Sequence, residues 1–155
     1  DYIEAMWLVL QHLRPDDFVI ATGNTRTVRE FAELAFRKLG IEILWKGGGI
    51  DERGVVKDIF TQDIQEIKDL LSLKQNKSPL KKGHVLIEID RRYFRPTEVD
   101  ILLGDASKAR RELNWQPKIS FDEMVTEMVF HDFEQSRKDA HLKRHGFKVN
   151  KRCEQ

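Results

Sequence analysis

Helical spacing of apolar residues alternates along this chain with short β-patterned runs, and Gly or Pro marks most of the changes. Ile3, Met6, Trp7 and Leu10 recur at three- and four-residue intervals, which predicts an opening amphipathic helix with that face buried, stopped by Pro15. Phe18 to Ala21 reads as a short buried strand ending at Gly23-Asn24. Thr27 and Glu30 form a capping-box pair for a second helix, with Phe31, Leu34, Ala35 and Leu39 as its apolar stripe and Gly40 as its stop. Ile41 to Trp45 follows as a strand. From Asp58 to Leu73, the residues Phe60, Ile64, Ile67 and Leu71 share one helical face, and Lys74 to Lys82 is a lysine-rich link containing Pro79. Region 58–82 therefore reads as an inserted helical excursion. Val85, Ile87 and Ile89 alternate with mostly polar neighbours, the signature of a half-buried strand. Asp105 caps a short helix over Ala106 to Leu113 that buries Ala106, Ala109 and Leu113, and Pro117 bars its continuation. A last helix starts at Ser120, with Glu123 completing a second capping box. Phe121, Met124, Val125, Met128, Val129 and Phe133 are its expected core face.

Composition narrows the class. A chain of 155 residues can bury roughly 70% of the surface exposed when unfolded, enough for one modest core. Twenty-seven basic residues against 26 acidic ones give a net charge of +1, so no broad basic face for nucleic acid is expected. Beyond Glu134 the sequence turns basic, and 136–155 reads as a solvated, frayed tail rather than an anion-binding arm. Cys153 stands alone, which excludes an intramolecular disulfide or a cysteine-based zinc site and fits a cytoplasmic protein. The first ten residues are too interrupted by charge for a signal peptide or a membrane span, and their abrupt entry into a helix suggests a piece of something longer.

Candidate chemistry concentrates in Tyr93-Phe94-Arg95-Pro96-Thr97-Glu98-Val99-Asp100. A guanidinium keeps its charge and offers a planar fork of donors that matches diphosphate oxygens. Pro96 biases Arg95 toward extended backbone and so limits where that fork is presented. Glu98, one short turn on, has the acceptors a ribose needs. The competing reading is a surface ion pair between Arg95 and Glu98 worth roughly 0–1 kcal/mol. Arg53 stands in the expected loop after the glycine run, where a merely solvated arginine is the plain reading. Trp45 and Tyr93 read as packing residues. Lys46-Gly47-Gly48-Gly49 lacks the Gly-Lys-Ser/Thr ending and the helix of a phosphate loop, so it reads as a flexible turn. The sequence contains no Gly-x-Gly-x-x-Gly dinucleotide turn and no Tyr-x-x-x-Lys pair.

Several runs together resemble the GDP-mannose 4,6-dehydratase family. They are Asp1 to Trp7, Phe18 to Gly23, Thr27 to Phe31, Tyr93 to Asp100, Gly104-Asp105, Lys108-Ala109, Leu113 to Pro117 and Phe121 to Glu123. The resemblance covers about residues 1 to 135, interrupted by the 58–82 region, and is to the carboxy-terminal part of that family. It implies an α/β fold, the substrate-binding lobe of an extended short-chain dehydrogenase/reductase, with helices around short strands and the Rossmann half missing. On that reading 1–135 is the nucleotide-sugar lobe and 136–155 the basic tail. The implied reaction converts GDP-mannose to GDP-4-keto-6-deoxymannose, on the way to GDP-fucose and related deoxyhexoses. Hydride leaves the sugar's C4 and returns at C6 after water is eliminated. NADP would be bound by the missing lobe, which would also carry the catalytic residues. By the same resemblance Arg95 would meet the diphosphate, Glu98 the guanosine ribose, and Arg53 a phosphate. The complete enzyme would be a homodimer or homotetramer, with GDP-mannose as substrate and no nucleic-acid or membrane partner. Three alternatives stay open: a non-catalytic GDP-sugar binding module, a dehydratase or epimerase of another nucleotide sugar, and an interaction protein using its basic end.

Overall fold

The computed structural model describes residues 1–60, 80–95 and 101–149. Helices and a small antiparallel sheet make it an α/β protein. The chain divides into two units, one formed by Asp1–Phe31 with Arg95–Met124 and the other by Ala32–Phe94 with Val125–Gln155.

In the first unit, α1 spans Tyr2–Gln11 and α3 spans Ser107–Leu113. Their shared core is Ala5, Ala106, Ala109, Leu113 and Trp115, with Leu8, Val9, Phe18 and Ile20 packed around it. Small side chains let the two helix backbones approach, and Trp115 fills the remaining volume. The face of α1 expected to be buried is instead the exposed one: Ile3, Met6, Trp7 and Leu10 point outward, while Ala5 is 1% exposed. Spacing found the amphipathic helix, but packing selected the alanine side.

The start of α1 is clasped from far along the chain. Trp115 donates its indole N–H to the Asp1 carbonyl at 3.0 Å, and the Asp1 carboxylate accepts the backbone N–H groups of Lys118 and Ile119. Lys118 also reaches the Glu4 carboxylate at 2.7 Å. Asn114 turns the chain out of α3 at φ 52°, where the Asn side chain is better tolerated than most. The expected strand at Phe18–Ala21 forms no ladder with any described residue. Its neighbour is the 101–104 segment: Thr25 Oγ1 donates to the Leu102 carbonyl, and a Cβ on Gly104 would lie 2.6 Å from that of Ala21.

Helix α2, Val28–Lys38, begins with the expected capping box: Glu30 accepts the Thr27 backbone N–H at 2.7 Å, and Thr27 Oγ1 accepts the Glu30 N–H at 3.0 Å. It ends at Gly40, whose φ of 69° suits glycine. In the second unit, β1 (Ile41–Lys46), β2 (Arg53–Ile59) and β3 (Val85–Glu88) form an antiparallel meander in that order. Ile41, Ile43, Val55 and Val56 are its buried hydrophobic residues. Register shifts at Glu42/Ile43 and Gly54/Val55 interrupt the two-residue alternation, and three consecutive residues of β2, Gly54 to Val56, are buried. Asp58 and Ile59, expected to open a helix, end β2, and the rest of that helical reading lies outside the described residues.

Helix α4, Phe121–Arg144, is capped as expected, with Glu123 accepting from Ser120 N–H and Oγ–H. Val125 is fully buried, but Met124 and Met128 are 39% and 47% exposed, so the stripe is core only in part. The helix continues through Arg144 and closes at Gly146, so the first part of the basic stretch is helical rather than frayed. Among the described residues no helix is long and apolar enough to cross a membrane.

Candidate functional site

The sheet brings charged residues to the end where β2 starts and β3 finishes. Between β1 and β2 the chain reverses through Gly47, at φ 80°, and a 3-10 turn over Gly49–Asp51. A Cβ at position 47 would sit 2.5 Å from the Asp51 carbonyl oxygen, so the first glycine is there for turn closure. A strand follows, not a helix, which fits the expectation of a plain turn and gives no helix N-terminus for a phosphate. Trp45 packs its ring against β2: a Cβ on Gly54 would meet Trp45 Cζ3 at 3.2 Å, and the Trp45 indole donates to Glu33 at 2.6 Å. Its role is packing.

Arg53, expected in a loop, is the first residue of β2, facing Lys46 on one side and Glu88 on the other. Antiparallel pairing turns the loop's exit into ladder, and this fixes the backbone from which the guanidinium projects. Its Nε lies 3.3 Å from a Glu88 carboxylate oxygen, with both side chains more than half exposed. Such a pair orients the fork while contributing little stability, about 0–1 kcal/mol.

Beyond β3 a second arginine is held more firmly. Asp90 accepts the Arg92 backbone N–H at 2.9 Å and takes both Arg92 Nε and Nη2 in a bidentate pair. The pair and that backbone bond hold the Asp90 carboxyl below the usual aspartate range. The Arg92 guanidinium also lies 5.4 Å from the Tyr93 ring centre, and Tyr93, expected to be partly buried, is 77% exposed. Sequence reasoning passed over Arg92. The signal was available: an aspartate two residues before an arginine, just past a strand, is a turn that ties side chain to backbone.

Arg95 is exposed and opens the returning segment of the first unit, whereas Arg53 and Arg92 belong to the second. Glu98 lies outside the described residues. The other carboxylates with altered acidity are cap or ion-pair residues. Glu30, Asp105 and Glu123 are lowered by the Thr27, Ser107 and Ser120 groups they accept from, Asp16 by Lys108 and Asp58 by Lys82. All are structural. Among the described residues no side chain group of three or more His, Cys, Asp or Glu could hold a metal ion.

The comparisons bear on the whole stretch that carries these arginines. The family described as GDP-mannose 4,6 dehydratase matches residues 1–128. A GDP-mannose 4,6-dehydratase of Vibrio cholerae serotype O1 is 44% identical over 151 residues, covering 97% of this chain and 37% of the relative. The Drosophila melanogaster enzyme is 48% identical over 139 residues, covering 90% of this chain and 29% of its own length. The Homo sapiens enzyme is 43% identical over 137 residues, covering 88% and 31%. The chain thus spans about a third of the length of the curated relatives it matches. With the family model matching residues 1–128 and a relative 44% identical over 151 residues, this chain belongs to the GDP-mannose 4,6-dehydratase family.

Proposed function

We propose that this chain supplies the nucleotide-sugar side of a GDP-mannose 4,6-dehydratase, a lyase that converts GDP-mannose to GDP-4-keto-6-deoxymannose. The carrying observation is the family match over 1–128, which contains every candidate contact in one stretch. In this reading Arg95 meets the diphosphate and Glu98 the guanosine ribose. Arg53, oriented by Glu88, offers a second cation to the phosphates. A fork of donors on a strand end is suited to that task, because the ladder already fixes the backbone from which it projects.

Among the described residues the glycine run does not form the turn that a dinucleotide's phosphates need. Its glycine turn closes on the Asp51 carbonyl and leads into a strand. We therefore assign NADP, which the family resemblance implies, to a Rossmann lobe outside this chain, together with the proton-transfer residues. Residues 1–135 then form the substrate-binding lobe of an extended short-chain dehydrogenase/reductase and 136–155 its basic tail. A cytoplasmic homodimer or homotetramer completes the proposal.

The test is turnover by the full-length protein that carries this chain. GDP-mannose should be converted, and a dTDP- or UDP-sugar should not. Arg95→Ala and Glu98→Ala should each weaken GDP-mannose binding about ten- to a hundredfold, the loss of a charge-assisted hydrogen bond, with unchanged thermal unfolding. Binding without turnover would instead favour a GDP-sugar binding module, and turnover of another nucleotide sugar would reassign the substrate.

A further inference from the structure

Helix α1 is inverted relative to the usual pattern of a surface helix. Ala5 is buried and Leu8 and Val9 are partly so, whereas Ile3 is 76% exposed, Met6 61%, Trp7 60% and Leu10 80%. Leu13, just past the helix, is 99% exposed. Residues 3, 6, 7 and 10 lie on one stripe, so this is a continuous apolar face rather than scattered side chains. Single exposed apolar residues are ordinary, but a contiguous large face marks an interaction surface. The N-terminal turn of the helix is already fixed by Trp115 and Lys118, so the stripe is presented by a backbone held in place.

We infer that this stripe is the seat of the part of the dehydratase that the relatives carry and this chain does not span, with Trp7 and Leu10 as its anchors. The inference rests on the family reading above. Two observations select the occupant. The relatives' matched segments are 37% and 29% of their lengths, so most of each folded relative lies outside the region described here. A membrane-surface helix carries Lys or Arg on its polar face, and α1 has none, only Glu4, which is paired to Lys118. The occupant is therefore an apolar helix or sheet face of the same enzyme, packed as in a protein interior.

The experiment places Leu10→Cys in the full-length protein and follows maleimide labelling of that site by peptide mass spectrometry, native and in urea. Labelling in the native protein should be at least about tenfold slower than in urea. It should stay slow on dilution below the oligomer's dissociation range and without vesicles. Fast native labelling would overturn the inference. So would protection that disappears on dilution, which would make the occupant a second copy, or protection that needs anionic vesicles. Met6→Glu combined with Leu10→Glu is the second variant. It should lower the thermal midpoint of the full-length protein and leave that of the 155-residue chain unchanged, and equal midpoints in both pairs would also overturn it. The labelling measures no turnover. A protein that shields position 10 but leaves GDP-mannose untouched would refute the proposed reaction and keep this interface.

Discussion

The two units solve the burial problem in opposite ways. The first closes over long sequence distances: Trp115 and Lys118 come back to Asp1 and Glu4, and the core they cover is made mostly of alanines. Several of its large aliphatic side chains, Ile3, Leu10, Ile101 and Leu102 among them, are left exposed within the chain, although Leu113 is in the core and Leu8, Val9 and Ile20 pack against it. In the second unit β1 and β2 are joined by a short glycine turn, and β-branched residues fill the sheet's interior at Ile41, Ile43, Val55 and Val56. The lesson is that hydrophobicity and burial coincide where an element's partner is a local neighbour. Within the chain they part company where a helix packs through its small face and turns its large one away.

The sharpest way to break this contrast is at Trp115. Replacing it with Ala removes the largest fully buried side chain and its bond to the Asp1 carbonyl. We expect a loss of about 3–5 kcal/mol in denaturant unfolding, felt first by reporters on α1. A loss below about 1 kcal/mol would mean the clasp is not what holds the first unit together. Val56→Ala, its counterpart in the sheet, should cost about 2 kcal/mol, with the far-UV signal of the helices retained. Gly47→Ala attacks the sheet through its turn. The 2.5 Å approach to Asp51 and a φ of 80° predict a cost of about 1–3 kcal/mol, visible as a lowered thermal midpoint. An unchanged midpoint would show the β1–β2 turn to be adaptable.

Smaller effects test the helix starts. Ser120→Ala should cost about 1 kcal/mol by removing the capping hydroxyl of α4. The carboxylates of Glu30 and Glu123 are lowered by the donors they accept. Their contribution is therefore present above the ordinary glutamate range and is lost as the pH falls through the lowered folded values. Acid titration followed by circular dichroism should show that loss, and Glu30→Gln with Glu123→Gln should flatten it. A slope unchanged by the double substitution would assign the acid sensitivity to other groups. Smallest of all, Arg53→Ala should change stability by no more than about 1 kcal/mol, because its pair with Glu88 is exposed. On the proposed function its effect falls on nucleotide-sugar affinity, and calorimetry with GDP-mannose on the full-length protein separates the two.

What the sequence could determine by itself was whatever depends on neighbours within a turn or two. Both capping boxes, the glycine exit of α2, the existence of β3 and the burial of Ala106, Ala109 and Leu113 were all legible there. So was the family, because the order of short motifs survives translation into any fold. The alternation expected in β3 was not found, since Val85 is 46% exposed while Leu86 and Ile87 are both half-buried, and the cap position of α3 falls at Ala106, one residue after Asp105, whose carboxylate accepts the Ser107 N–H. Three further things were not legible. Periodicity defines a helix's stripe without saying which partner covers it, and within this chain α1 packs through its alanine side instead. The pattern at 53–59 lacked alternation because bulges interrupt the register, so β2 and the strand position of Arg53 emerged only with its partners in place. The apolar run at Phe18–Ala21 has the composition of a strand, yet a strand exists only when a second chain segment completes its ladder. Hydrogen bonds to distant residues and the choice of a packing face are properties of the assembled chain, and tertiary structure alone decides them.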